Sequence, residues 1–286
     1  MRVLVTGTEG YLGTLVAPEL MARGHDVTGV DTGFYKEGWL YHGPDVTPLT
    51  LVKDLRRLTV ADLQGYDAVV HMAELSNDPT GELVPDITYE INHAGSVNLA
   101  TLAKQAGVKR FVYMSSCSVY GVAEQDFVDE TSPVNPQTAY AHCKVLVERD
   151  LTAMADDDFS PTFLRKATAY GASPRMRFDI VLNNLAGFAH TTGEIRMLSD
   201  GTPWRPLVHG RDIAKAIVCA LEAPRETVHA QVFNVGDTGH NYQVREIAEI
   251  VADVFPGCKL SFGDRGSDNR SYRVSFDKIA ATLPGF

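Results

Sequence analysis

The segment Val3-Leu4-Val5-Thr6-Gly7-Thr8-Glu9-Gly10-Tyr11-Leu12-Gly13 stands near the start of the chain and decides its fold class. A short apolar run ends at a glycine, and the residues that follow have apolar side chains at helical spacing. A second apolar run, residues 27–30, ends in Asp31. Strand, helix and strand in this order predict one βαβ unit.

The three glycines of this segment are spaced G-x-x-G-x-x-G. They let the backbone turn tightly and approach a diphosphate, which would rest on the amides and positive dipole end of the helix beginning near Gly10. The first gap is one residue wider than in the usual dinucleotide fingerprint, so the interpretation also depends on the flanking strand and helix. Asp31 can bind both hydroxyls of an adenosine ribose and would repel a 2′-phosphate. The predicted cofactor is therefore NAD.

The composition limits the class of partner. The 286 residues carry a net charge of −10, which argues against nucleic acid and anionic membranes as partners. The sequence contains neither a run of about eighteen apolar residues nor a cationic leader, so we expect a cytoplasmic protein. The four cysteines form no C-x-x-C pair, and no metal site is expected.

Strand and helix patterns alternate through the first half of the chain. Further strands are predicted at residues 49–52, 67–73, 109–115 and 162–166, and long helices at 83–106 and from about 137. This alternation predicts an α/β fold of the Rossmann type, with a doubly wound parallel sheet. We assign residues 1–170 to a nucleotide-binding domain and 171–286 to a smaller, arginine-rich substrate-binding region. One strand of that region, at about 231–235, returns to the main sheet.

Tyr140 and Lys144 lie four residues apart, so both side chains leave one face of the predicted helix. Ser116 closes the fifth strand. Oxidation of a sugar alcohol requires a base, and a tyrosine serves if its pKa falls from about 10 toward 7, which takes about 4 kcal/mol. A cation at about 4 Å supplies roughly that amount at an effective dielectric near 20. The alternative for the pair alone is a helix-face tyrosine beside a solvated lysine.

The whole set of motifs resembles the extended short-chain dehydrogenases/reductases, in the NAD-dependent epimerase/dehydratase family that acts on sugar nucleotides. The matching features are Thr6-Gly7-x-x-Gly10-x-x-Gly13, Asp31, Asp54-Leu55, His71-Met72-Ala73, Asn92, Ser115-Ser116-x-x-Val119-Tyr120-Gly121, Tyr140-x-x-x-Lys144, Asn183-Asn184-Leu185 and Val208-His209-x-x-Asp212.

The resemblance implies a role for each matching position. Catalysis would fall to Ser116, Tyr140 and Lys144. NAD binding would use Gly7, Gly10, Tyr11, Leu12, Gly13, Asp31, Asp54, Leu55, Met72, Ala73, Asn92, Tyr140 and Lys144. A nucleoside-diphosphate sugar would contact Ser118, Asn184, Arg205, Arg265 and Arg270.

The resemblance also implies a homodimer, in which helix 83–106 and the helix carrying Tyr140 pair across a two-fold axis. The apolar positions on these helices would either form that contact or face the sheet of their own chain. They are Leu99, Leu102, Val145 and Leu146.

Two features depart from the family pattern. The 4,6-dehydratases of the family carry an Asp-Glu pair where this chain has Cys117 and Ser118, which argues against that reaction. Glu74 stands where a small residue is usual, and we expect it either to contact substrate or, more simply, to be a solvated loop carboxylate.

The predicted reaction is oxidation at C4 of a nucleoside-diphosphate sugar, followed by return of the hydride to the opposite face, which is a 4-epimerisation. A one-way dehydrogenase or 4-ketoreductase would use the same residues. A non-catalytic NAD-binding regulator is the alternative of another class, but it would predict loss of Tyr140 or Lys144, and the sequence retains both.

Overall fold

The structure is a computed structural model that describes residues 1–42, 47–123, 125–264, 270–283 and 285–286. Seven strands form its main sheet. They are β1 Arg2–Thr6, β2 Asp26–Asp31, β3 Leu49–Val52, β4 Ala68–His71, β5 Arg110–Ser116, β6 Ser160–Lys166 and, far along the chain, β10 Val232–Val235.

The strand order is β10-β6-β5-β4-β1-β2-β3, and every pair is parallel. The order reverses at β1, so the crevice above the carboxyl ends of β1 and β4 is the topological switch point where such sheets bind ligands. The predicted doubly wound sheet is confirmed. Parallel pairing brings the residues that end these strands to one edge, which positions the site described below.

Helices cover both faces of this sheet. The α-helices among the described residues are α1 Gly13–Ala22, α2 Val60–Leu63, α3 Asp78–Leu83, α4 Pro85–Thr88, α5 Gly95–Gln105, α6 Ala139–Met154, α7 Val181–Thr192, α8 Gly210–Glu222, α9 Arg225–Val228, α10 Val244–Val254 and α11 Asp277–Thr282. Within the described ranges, none is long and apolar enough to cross a membrane.

Each face of the sheet has its own hydrophobic core. On one face Val16 of α1 and Ile217 of α8 pack with Val5. On the other face Leu99 of α5 and Leu151 of α6 contact the core that includes Leu4 and Phe111. Successive residues of β1 therefore point to opposite faces, as the two-residue period of a strand requires.

The helix predicted at 83–106 is interrupted in the structure. Val84 has φ −140° and ψ 78°, outside the helical region, because the ring of a following proline disfavours helical backbone. A new helix begins at Pro85, passes through a π-helical segment at Tyr89–Ala94 and continues as α5. The prediction of one continuous helix was wrong at its first turn, and it missed α3.

The carboxyl-terminal part builds two small sheets beside the main one. The first has the strand order β11-β9-β7, with β7 Thr168–Tyr170, β9 Trp204–His209 and β11 Asn241–Gln243. The second pairs β8 Glu194–Arg196 with β12 Lys259–Ser261. A third hydrophobic core, which includes Leu185, Ile195 and Ile247, joins these sheets to α7 and α10.

Candidate active site

The turn after β1 requires glycine at two positions. Gly7 has φ +80°, and a Cβ added there would lie 3.1 Å from the Cα of Ala73. A Cβ on Gly13 would lie 2.0 Å from the carbonyl oxygen of Gly7, a distance that no side chain can take. The backbone is thus packed tightly against its neighbours and leaves the space in front of α1 open, as a diphosphate site requires.

A cavity of about 590 Å³ opens in front of this turn, and we call it the glycine-loop cavity. All but one of the predicted NAD contacts line it. These are Gly7, Gly10, Tyr11, Leu12, Gly13, Asp31, Asp54, Leu55, Met72, Ala73, Tyr140 and Lys144.

Asp31 ends β2 at the edge of the glycine-loop cavity. Its Oδ2 accepts a hydrogen bond from the Glu9 amide at 3.0 Å, and its Oδ1 accepts one from the Gly33 amide at 3.0 Å. These contacts fix the carboxylate where β2 ends. Asp54 accepts a hydrogen bond from the Arg56 side chain. This hydrogen bond is the main cause of the lowered pKa of Asp54.

Asn92 does not line this cavity, unlike the other residues assigned to NAD. Its side chain is fully buried, accepts a hydrogen bond from the Leu75 amide and donates one to the Leu75 carbonyl, both at 2.8 Å. With both ends of the amide occupied, Asn92 fixes the loop that follows β4. The structure therefore shows Asn92 positioning this loop, and its contact with the cofactor stays a prediction.

A second cavity, of about 1010 Å³, lies beside the first, and we call it the arginine cavity. Its lining includes Ser116 and Tyr140 together with most of the predicted substrate contacts: Ser118, Asn184, Arg205 and Arg270. Arg265 lies outside the described residues.

Tyr140 lines both cavities and so marks the junction between them. It lies in the first turn of α6, and the helix is capped by Thr138, whose side chain accepts a hydrogen bond from the Ala141 amide. Because Tyr140 and Lys144 are separated by about one helical turn, α6 presents both at this junction. Tyr140 as a whole residue is buried, with 8% of its surface exposed.

Lys144 is buried below Tyr140 and makes close contacts with the Glu74 carboxylate and the carbonyl oxygen of Met114. Its Nζ lies 5.1 Å from the centre of the Tyr140 ring and 4.6 Å from that of Tyr113. Burial alone would lower the pKa of the Lys144 ammonium, but Glu74 and then Tyr140 reverse this and leave the pKa raised. Lys144 is therefore a stable cation beside the Tyr140 ring.

Glu74 is not the solvated loop carboxylate that was expected. Its side chain is only 3% exposed, and its Oε1 accepts a hydrogen bond of 2.6 Å from the Tyr113 hydroxyl. Burial, and then the Glu74 charge, raises the pKa of Tyr113, which stays protonated as the donor. The expectation was wrong because Glu74 lies at the carboxyl end of β4, where parallel packing brings β5 and α6 against it.

The end of β5 and the two residues after it place Ser116 and Ser118 at the arginine cavity and bury Cys117 between them. Ser116 Oγ accepts a hydrogen bond from the Ser118 amide at 3.2 Å, and the buried Ser118 Oγ has no hydrogen-bond partner among the described residues. The Cys117 thiol turns away, donates to the carbonyl of Arg165 at 3.1 Å, and has a pKa raised by burial. Neither Cys117 nor Ser118 provides the carboxyl groups of a 4,6-dehydratase.

Two cations at the junction were not assigned a role from the sequence. Lys166 ends β6 beside Ser116 in the strand register, and Arg177 follows in the next loop; both line the two cavities. Arg177 donates to both carboxylate oxygens of Asp179, at 3.1 and 2.6 Å. The carboxyl-edge position of Lys166 in the predicted sheet was a signal that could have identified it.

Known proteins resemble this chain in sequence and in structure. The chain matches the model of the NAD dependent epimerase/dehydratase family over residues 3–236. A UDP-glucose 4-epimerase of Lactobacillus helveticus is 31% identical over 272 residues, which cover 87% of this chain and 80% of the relative.

Two solved structures share the whole fold. TunA, an NAD dependent NDP-hexosamine 5,6-dehydratase of tunicamycin biosynthesis, is 25% identical with a TM-score of 0.88, over 100% of this chain and 91% of its own. MoeE5, solved in complex with UDP-glucuronic acid and NAD, is 27% identical with a TM-score of 0.85, over 99% and 92% of the two chains.

Proposed function

The chain belongs to the NAD dependent epimerase/dehydratase family, and from that premise we propose that it epimerises C4 of a uridine diphosphate sugar. The observation that carries the proposal is the position of Tyr140. It lines the glycine-loop cavity together with Lys144, and it lines the arginine cavity together with Ser116. A base at the meeting point of two cavities suits a reaction between a bound cofactor and a bound sugar.

NAD is the cofactor of this family, and it supplies a nicotinamide that takes a hydride from a sugar carbon and gives it back. The residues of this chain fit it. The glycine turn leaves the space before α1 open, and Asp31 ends β2 with two carboxylate oxygens for a ribose.

Residues of this chain carry out the proton transfers. The Lys144 cation stabilises the Tyr140 phenolate, which takes the proton of the C4 hydroxyl and becomes the neutral phenol. Ser116 donates a hydrogen bond to the same sugar oxygen as charge develops there. In the return step the Tyr140 hydroxyl delivers the proton back to that oxygen.

The size of the arginine cavity favours epimerisation over a one-way reaction. A 4-keto sugar must turn over between the two hydride transfers, and the arginine cavity of about 1010 Å³ leaves room for that rotation. Arg205 and Arg270, which also line it, provide guanidinium groups for the diphosphate, and this diphosphate would anchor the turning sugar.

Product analysis tests this proposal. The protein, incubated with NAD and a UDP-sugar, should convert either C4 epimer to the same equilibrium mixture, followed by NMR of the anomeric proton. Ser116→Ala should slow conversion by about 10² to 10³, because it removes one donor to a developing oxyanion. Accumulation of a 4-keto sugar with reduced NAD, and no second epimer, would establish the one-way dehydrogenase instead.

We also propose a homodimer, as the resemblance implied. Leu99 cannot contribute to it, because its side chain is fully buried in the core of its own chain. Leu102, Val145 and Leu146 are partly exposed on α5 and α6 and are the remaining candidates for the two-fold contact. Sedimentation should give twice the mass of 31.2 kDa, and a monomer at micromolar concentration would refute the dimer.

A further inference from the structure

Lys166 is a cation at the junction of the two cavities that the proposed mechanism does not use. It ends β6, pairs in register with Ser116 on β5, and lines both cavities with Tyr140. Arg205 and Arg270 line only the arginine cavity. Lys166 therefore lies on the side where the sugar meets the cofactor, and apart from the residues expected along the diphosphate.

The other two cations at this junction each have a carboxylate. Lys144 is paired with Glu74, and Arg177 with Asp179 at 2.6 Å. Within the described part of the chain, Lys166 has neither an ion pair nor a side-chain hydrogen bond. Lys166 thus brings to the junction a positive charge that no described residue neutralises in an ion pair.

The surroundings of Lys166 disfavour the protonated form of its side chain. Burial, followed by the positive charges of Arg177 and Lys144, lowers the pKa of Lys166 to about 8, while Cys117 and Glu74 act weakly in the opposite direction. At neutral pH the side chain is still mostly protonated. Lys166 is partly buried, and a charge so placed without a partner is costly; that cost is reduced when a ligand brings the opposite charge.

We propose that Lys166 binds a carboxylate carried by the sugar, so that the substrate is a uridine diphosphate hexuronate. This inference rests on the proposed function and narrows its substrate. A hexuronate differs from a hexose only by a carboxylate at C6, a group close enough to C4 to lie near the junction while Tyr140 acts. Arg205 and Arg270 would bind the two phosphate groups.

Calorimetric titration tests the proposal on the full chain saturated with NAD. The ligands are UDP-glucuronic acid, UDP-glucose and UDP, and the variants are Lys166→Met and Lys166→Arg. The wild type should bind the acidic sugar about 10- to 100-fold more tightly than UDP-glucose, as expected for a charge-assisted hydrogen bond. Lys166→Met should reduce this preference to about three-fold or less, and Lys166→Arg should retain most of it.

The affinity for UDP serves as the internal control. UDP should bind the wild type and Lys166→Met equally, which would show that the variant is folded and that Lys166 does not contact the diphosphate. A parallel loss of UDP affinity in Lys166→Met would overturn the proposal in favour of a diphosphate contact. Equal binding of both sugars by the wild type would also overturn it, while leaving the proposed epimerase standing. Failure of all three ligands to bind would contradict both.

Discussion

Glu74 and Lys144 form an ion pair next to Tyr140, with only 3% of each side chain exposed. The pair places a negative charge next to the cation that is meant to favour the Tyr140 phenolate. Lys144 and Tyr140 are also electrostatically coupled. The readiness of Tyr140 to lose its proton should therefore depend on both members of the pair.

Glu74→Gln should move the acid limb of the kcat profile to lower pH by about one unit. The amide keeps the size of the side chain and its hydrogen-bonding capacity, but it no longer offsets the Lys144 charge, and one unit corresponds to about 1.36 kcal/mol. Tyr113→Phe is the matched control, since it removes the hydrogen bond to Glu74 and leaves the charge in place. An unchanged acid limb in Glu74→Gln would show that the pair does not act on Tyr140.

His71 should make the fold sensitive to acid. Its ring is fully buried between Thr6 and Ser96, each 2.7 Å away, and burial followed by Lys144 lowers its pKa to about 3. A histidine with a lowered pKa is held neutral by the fold, so its contribution is complete above pH 6.5 and is lost as the pH falls toward 3. The loss should be on the order of 5 kcal/mol.

Urea unfolding between pH 7 and pH 4 measures this effect. His71→Gln should be less stable at pH 7 but lose less of its free energy of unfolding on acidification than the wild type. His142→Gln, at an exposed position on α6, should follow the wild type. Parallel curves for His71→Gln and the wild type would exclude His71 as the titrating group.

Asp31 should set the preference between cofactors. Its carboxylate is fixed at the end of β2 by the Glu9 and Gly33 amides, where it would accept from ribose hydroxyls and repel a 2′-phosphate. NAD should bind at least about ten-fold more tightly than NADP, a difference of about 1.4 kcal/mol. Asp31→Asn should narrow the gap, and tighter NADP binding by the wild type in calorimetry would refute the assignment.

The parts of this molecule that sequence reasoning could reach are those fixed by local backbone requirements. Gly7 and Gly13 were predictable because their positions admit no side chain, and the parallel sheet because its buried strands are short apolar runs between helical patterns. The break at Pro85 was also signalled locally, by the preference of a pre-proline residue for extended backbone.

The missed features depend on contacts between distant parts of the chain. Glu74 and Lys144 are seventy positions apart in the sequence, and only the packing of β4, β5 and α6 brings them together. The side-chain amide of Asn92 is hydrogen-bonded to the backbone of Leu75. This contact also depends on the path of a loop, which the sequence does not show. Lys166 differs from these, because its place at the carboxyl end of a predicted strand already put it at the functional edge.

The most direct test of the whole account is single-turnover reduction of bound NAD by a UDP-sugar, followed by absorbance of the reduced nicotinamide. Tyr140→Phe keeps the ring beside Lys144 and removes only the proton acceptor, so reduction should be slower by about 10² to 10⁴ with sugar affinity nearly unchanged. Tyr113→Phe, which alters the other ring near Lys144, should stay within about ten-fold of the wild type. Reduction by Tyr140→Phe at the wild-type rate would contradict the assignment of Tyr140 as the base.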